Sequence, residues 1–437
     1  MRARSFGLGV SMVLATLGVG AACSRGDAES PLSPESEQPP ASLPDAGPEL
    51  DAGDRDGDVA LVPDVPECST GGWCYTPFPD KDLVFRDVWP LEDRAFAVAE
   101  STALGIKFLE WTTSSNAWSY IDDLSQNDHG AGTFASDVYA PNADELFIAV
   151  GPAFIFHGRR SGGAWSWTSQ RLPDNHPGHD GLVDDHGVPI MRPLGTQIPM
   201  LRVWGVGQDE VYAAFSNTVF RLDTTNDTFE PLVVFDDLRD PTEHVYIAGI
   251  GGTGADDLWV VGGRMQQSSC PLAVHKTADG LTRPIDEAYD PATRRCRPRE
   301  DAGAPSDAGI SSDGAPGWLL GVISVAPGDV LVNRTGEAIV HIRKVAGDYT
   351  FTSTKPSYKT VAPEGQSFIR SVWHGDDETW FSSWGAVFRL RDDDEPEISR
   401  LSRDVSPVYS PIYRIRGTAT TNLWAIGDQH ALHKTTP

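Results

Sequence analysis

The densest concentration of potentially reactive side chains lies in "NHPGHDGLVDDHG", residues 175–187. His176, His179, Asp180, Asp184, Asp185 and His186 set imidazole nitrogens beside carboxylate oxygens, the donor set that zinc and other divalent ions accept. No metal signature such as HExxH accompanies them, and a polar Gly/Pro loop carries such residues idly, so a solvated loop is the plainer reading. Elsewhere there is no GxSxG elbow, SxxK, P-loop, HExxH, or GxGxxG after a strand. Glycosidase chemistry needs two carboxylates about 5 to 9.5 Å apart, and residues from distant segments can supply them, so the sequence leaves that chemistry open.

Cys23 offers chemistry of a different kind. "MRAR" is a short basic start, "SFGLGVSMVLATLGVGAA" an apolar run, and Gly20, Ala21 and Ala22 are small residues suited to cleavage. "VGAAC" resembles the lipobox of bacterial lipoproteins, with Gly20 where that family prefers Leu. The resemblance implies a signal peptide over residues 1–22, a diacylated Cys23 as mature N-terminus and, with Ser24 following, transfer to the outer membrane. Four cysteines then remain, Cys68, Cys74, Cys270 and Cys296, an even number suited to an oxidising compartment.

Between residues 25 and 67 the chain carries 12 acids against 2 bases and almost no large apolar residue. Such a segment cannot offset its ordering entropy, so residues 23–67 read as a disordered, self-repelling tether. Its "DAGDRDGD" is no calcium loop: with Asp54 first, Val59 falls where the loop needs Gly and Val65 where it needs Glu. The whole chain has a formal charge of −27, which disfavours nucleic acid as a partner.

The elements that must position any site repeat along residues 68–437. "DDLWVVGG" (256–263) has relatives at 93–100, 144–151, 209–216, 328–335, 377–384 and 421–428. Their bulky positions are Phe96, Phe147, Tyr212, Trp259, Leu331, Trp380 and Trp424, spaced 51, 65, 47, 72, 49 and 44 residues. A short strand precedes each unit, as in "RDVW", "SDVY", "LRVW", "IRSVW" and "YRIRG"; an alternating strand follows, and in most units a polar turn leads to a fourth. Four short antiparallel strands at this period predict blades of a β-propeller. With strands A to D numbered outward from the axis, A–B–C sets number seven but fourth strands only six. "GWCYTPFP" (72–79) fits the missing pattern and precedes the first strand A. It is expected to close the ring as strand D of blade 7, which removes the free edge.

The turns "HKTADGLTR" (275–283) and "SGGAWSW" (161–167) resemble degenerate Asp-box turns of the sialidase-like and photosystem-assembly-factor-like propellers. The sialidase-like group's catalytic set finds no residue-by-residue counterpart here.

Antiparallel order puts the B–C and D–A connections on one face, here called upper, and the A–B and C–D turns on the lower. Insertions near 171–199 and 287–317 both leave strand D and reach the upper face. Cys270, placed in the B–C connection of blade 4, and Cys296, in the insertion leaving that blade, are expected to pair. Cys68–Cys74 then closes a local loop at the ring's joint. The Asp-Ala-Gly-rich run 300–317 reads as a disordered excursion. Strand C has a base at one recurring place, His157, Arg221, His275, His341, Arg389 and His433, expected to bridge to its own turn or flanking backbone rather than to hold a cation. The tether leaves from the lower face, so the upper face is expected to point away from the membrane.

The expectation is therefore an all-β, seven-bladed propeller of four-stranded antiparallel blades, preceded by a signal peptide and tether. It is expected to act as a monomeric, non-enzymatic binding or scaffolding module, lipid-anchored at the cell envelope, with a protein or glycan ligand and no obligate cofactor. The alternative is an envelope glycan hydrolase, sialidase-like, with its site over the channel.

Overall fold

The second strand of most blades is a nearly unbroken buried run: Glu145–Val150 and Asn422–Gly427 have every residue after the first buried. Apolar runs of that kind form where both faces of a sheet are covered, and in this fold the neighbouring blades cover them. The outermost strands alternate instead, as in Ala164–Arg171 and Asp348–Thr354, because one side meets solvent. The computed structural model describes residues 68–436 apart from 129–133, 176–200, 236–243, 266, 300–313, 359–367, 392–394 and 404–405.

Seven antiparallel sheets follow in chain order around an axis. Strand A of blades 1 to 7 is Val84–Pro90, Ala135–Asn142, Leu201–Gly205, His244–Gly254, Leu319–Ala326, Ser371–Gly375 and Ile412–Ala419. Blade 1 is completed by Arg94–Ser101, Gly105–Thr112 and Ala117–Tyr120, and the other blades repeat this order. The core is divided into clusters, most of them shared between adjacent blades. One joins Phe147 and Ala149 of blade 2 to Val211, Ala213 and Phe220 of blade 3.

The ring closes where the strand count requires. Trp73–Tyr75 pairs antiparallel with His430–Lys434, with Trp73 opposite Lys434 and Cys74 opposite His433, so blade 7 takes its outer strand from the N-terminal side. This segment ties three blades together. The Trp73 indole N–H donates to Ser399 Oγ of blade 6 at 2.8 Å. The Thr76 hydroxyl donates to the Ala431 carbonyl of blade 7 at 2.7 Å and accepts from the Trp118 indole of blade 1 at 2.9 Å.

Blade 4 departs from the four-strand expectation. Its outer strand Gly280–Asp290 pairs with a fifth, Arg295–Pro298. The Asp290 side chain fixes the turn between them, accepting from Ala292 N and the Thr293 hydroxyl, both at 2.9 Å. The insertion near 287–317 thus begins as an ordered hairpin, and Cys296 N donates to the Gly314 carbonyl at 2.9 Å on its return. Cys270 lies not in the B–C connection but inside strand Ser269–Thr277, opposite Arg264, because that connection is short. Cys68–Cys74 and Cys270–Cys296 are the two disulfides.

Candidate functional site in the central channel

Because strand A lines the axis in every blade, its inward residues define one cavity of about 710 Å³ running through the ring. Strand A starts at the upper face, since its first residues pair with the end of strand B. Position along the strand therefore gives depth in the channel.

Five arginines line it: Arg86 (blade 1), Arg202 (blade 3), Arg370 (leading into blade 6), and Arg414 and Arg416 (blade 7). All but Arg416, which is midway, lie in the upper half. Three carboxylates answer them. Asp87, fully buried, takes Arg414 Nε at 2.7 Å and Arg416 Nη1 at 3.1 Å, and accepts Val138 N at 2.9 Å. Asp137 takes Arg414 Nη2 at 2.9 Å and Arg202 Nη1 at 3.2 Å. Glu100 pairs with Arg86 and accepts Ala135 N at 2.9 Å. Each carboxylate also bridges to a neighbouring blade, so this network both neutralises charge and clamps blades 7, 1, 2 and 3 together.

Arg370 stands outside the network. It has no ion-pair partner among the described residues, and its Nε is buried without an acceptor. Its guanidinium lies over the Tyr413 ring at 5.3 Å, while Arg86 lies over the same ring at 4.6 Å. Burial, and after it the neighbouring Arg86 charge, lowers the Arg370 pKa from its usual value, outweighing Tyr413. Arg86 moves the other way: burial opposes its charge, but Glu100 more than compensates.

The lower half of the channel is aromatic. Trp89 meets Tyr139 edge-on at 4.8 Å, Arg416 lies over Trp89 at 4.7 Å, and the Trp373 indole N–H donates to the Gly417 carbonyl at 2.8 Å. Burial pushes the Tyr139 phenol up to about 12, and its hydroxyl is fixed by Gly207 N at 2.7 Å and the Gly207 carbonyl at 3.0 Å. Among the described residues blades 4 and 5 contribute an uncharged wall including Gly249, Ile250, Leu320, Gly321 and Val322.

The recurring strand-C bases have a shared structural role. Each lies opposite the bulky strand-B residue, and most reach the polar side chain two positions before it. His157 stacks on Phe147 at 4.1 Å between Glu145 (2.9 Å) and Asp227 of blade 3 (2.8 Å). His275 stacks on Trp259 at 4.0 Å between Asp257 and the Tyr349 hydroxyl of blade 5, both at 2.8 Å. His433 stacks on Trp424 and meets Asn422 at 2.9 Å, His341 bonds Asp329, and Arg389 meets Glu378 at 3.0 Å. Arg221 lies exposed opposite Tyr212. Blade 1, which lacks the base, reverses the charges: Glu110 lies opposite Phe96 and takes Arg94 at 2.9 Å. Polar atoms on the strand-B residues also cap the next blade's A–B turn, Asp257 accepting from Gly328 N at 3.0 Å and Glu210 from Ala255 N at 3.0 Å.

His176, His179, Asp180, Asp184, Asp185 and His186 lie outside the described residues, as does Cys23. Among the described residues no group of three or more His, Cys, Asp or Glu is placed to hold a metal.

No protein-family model matches the sequence, and no curated protein matches it. Solved structures do match. YCF48 from Cyanidioschyzon merolae aligns with a TM-score of 0.51 at 13% identity, over 84% of this chain and 99% of that one. A structure of YCF48 bound to D1 peptide gives 0.50 at 12% identity, over 85% and 98%. The extracellular domain of a hybrid two-component system from B. thetaiotaomicron gives 0.51 at 10% identity, over 84% of this chain and 40% of that one. At these identities the likeness is one of fold. The chain is a seven-bladed β-propeller.

Proposed function

We propose that this chain is a lipid-anchored, non-enzymatic binding module of the cell envelope, carried on the outer membrane and acting as a monomer that recognises a protein partner with its upper face and channel mouth. The observation that carries the reading is the state of the channel. Asp87, Asp137 and Glu100 are each held by at least one guanidinium. Carboxylates committed to guanidinia in that way clamp the blades together rather than stand free as the acid and base that a glycan hydrolase needs. What remains is a rigid, preformed cavity with an uncompensated cation at its mouth, suited to recognition. That a peptide is bound in one structure of YCF48 supports a protein ligand for this architecture.

The anchoring part of the proposal rests on "VGAAC", the acidic tether and the even cysteine count of the remainder. The closing strand begins at the lower face, beside the end of strand C of blade 7, which supports an upper face turned away from the membrane. The acidic body disfavours nucleic acid.

The test is a pull-down from detergent-solubilised envelopes with tagged full-length protein, compared with Cys23→Ser and with a variant lacking residues 176–200. The reading expects membrane fractionation that Cys23→Ser abolishes, and a stoichiometric protein partner retained by the wild type. Release of reducing sugar from envelope glycans by the purified protein would overturn it in favour of the hydrolase.

A further inference from the structure

The unpartnered Arg370 and the uncharged wall beside it lie in one cavity. We infer that the upper channel is a binding site for an amphipathic organic anion: a carboxylate held between Arg370, Arg86 and the Tyr413 hydroxyl, with its apolar body against Leu320, Gly321 and Val322. The inference rests on the reading of the channel as a recognition site and adds the chemistry of what it recognises.

Three observations converge on it. First, among the described residues five guanidinia face three carboxylates in a protein whose overall charge is −27. The local excess of positive charge runs against the sign of the whole molecule and would draw an anion specifically to this point. Second, Arg370 and Arg86 flank the same tyrosine ring, and the buried Arg370 Nε lacks an acceptor. Two like charges brought together at a half-buried site, with an unmet donor, are stabilised by one carboxylate placed between them. Third, the blade 5 side of the cavity is apolar with one gap in it, half-buried Leu320 and Val322 standing on either side of Gly321. Gly321 has a φ of +67°, and a Cβ built there would meet nothing within 4 Å, so it opens directly onto empty space. A wholly polar anion would leave Leu320 and Val322 beside that gap facing water; an apolar body attached to the anion covers them.

The full-length protein is titrated by calorimetry with octanoate, octanamide and inorganic phosphate. Octanoate is expected to bind, with octanamide and phosphate at least tenfold weaker, because each lacks one half of the recognised group. Arg370→Gln is expected to weaken octanoate at least tenfold, and Arg370→Lys to restore part of the loss. Gly321→Asn, whose residue type tolerates the left-handed conformation, fills the apolar side and is expected to weaken octanoate while melting like the wild type. Octanamide binding as tightly as octanoate, or an unchanged affinity in Arg370→Gln, would overturn the anion assignment. Phosphate binding as tightly as octanoate would overturn the apolar half. These outcomes are independent of the pull-down: a protein partner captured without octanoate binding refutes this inference alone.

Discussion

Trp73 makes the ring closure measurable. Its side chain is fully buried among Trp380, Leu401, Ile412, Leu423 and Leu432, at the seam between blades 6 and 7. It meets Trp380 edge-on at 6.3 Å, and its indole N–H donates to Ser399. Truncating a buried Trp to Ala costs about 3–5 kcal/mol, and loss of the hydrogen bond adds about 1 kcal/mol. Trp73→Ala should therefore destabilise by roughly 4–6 kcal/mol, lowering the melting temperature by roughly 10 °C for a domain of this size. The control is Trp165→Ala, on the outer strand of blade 2, where the ring is half-buried against Phe96 at 5.7 Å and takes no part in closure; about half the loss is expected there. Scanning calorimetry under oxidising conditions compares the two with a variant lacking residues 24–66 and one lacking residues 24–79. If Trp73→Ala melts no lower than Trp165→Ala, or if the two truncations melt alike, the closing strand is not what holds the ring.

Asp87→Asn leaves Arg414 and Arg416 facing each other without their shared carboxylate, and is expected to cost about 3 kcal/mol by urea denaturation. His433 is buried, and burial holds its pKa down to about 4 against an ordinary 6.5. The unfolded chain therefore takes up a proton as pH falls through 6.5 while the folded one does not until about 4, so stability drops across that window, by up to about 3 kcal/mol; His433→Gln should flatten this limb of a melting-temperature profile. Reducing the disulfides removes loop closures with sequence separations of 6 and 26, worth about 2 and about 3.5 kcal/mol in the chain-entropy model. Cys270→Ser/Cys296→Ser should accordingly lower the urea midpoint more than Cys68→Ser/Cys74→Ser.

The blade count and the closing strand were legible because both follow from periodicity. A repeated apolar run marks each strand B, and seven A–B–C sets with six outer strands leave one place for Trp73–Tyr75 to fill. The fifth strand of blade 4 was hidden because "RRCRP" has neither alternation nor β-branched residues; it is held by the Asp290 turn and the Cys270–Cys296 link rather than by strand propensity. The channel site was illegible for a different reason. Its arginines come from blades 1, 3, 6 and 7, scattered in or just before ordinary strands such as "FRDVW", "IRSVW" and "YRIRG". The available signal was their recurrence in strand A of an acidic protein, where one side of the strand has to face the axis.

Telling a structural base from a recognition base depends on what lies two residues before the facing aromatic. On strand C the bases lie opposite a bulky strand-B side chain, and in blades 2, 4, 5, 6 and 7 a partner two positions earlier accepts from them. Blade 1 keeps the pair with its charges exchanged, Arg94 and Glu110. An interaction that persists when its charges are swapped is selected for bridging, since a ligand would require one sign. Strand A obeys no such rule. Asp87 and Asp137 satisfy Arg202, Arg414 and Arg416 across blades, while Arg370 keeps a buried donor with nothing to meet it. A guanidinium drawn partly out of water costs free energy unless it is paired, and among the described residues the side chain of this one meets only the aromatic rings it overlies. The cost is recovered only when an anion arrives, which makes Arg370 the position where the requirements of the propeller and those of its ligand separate.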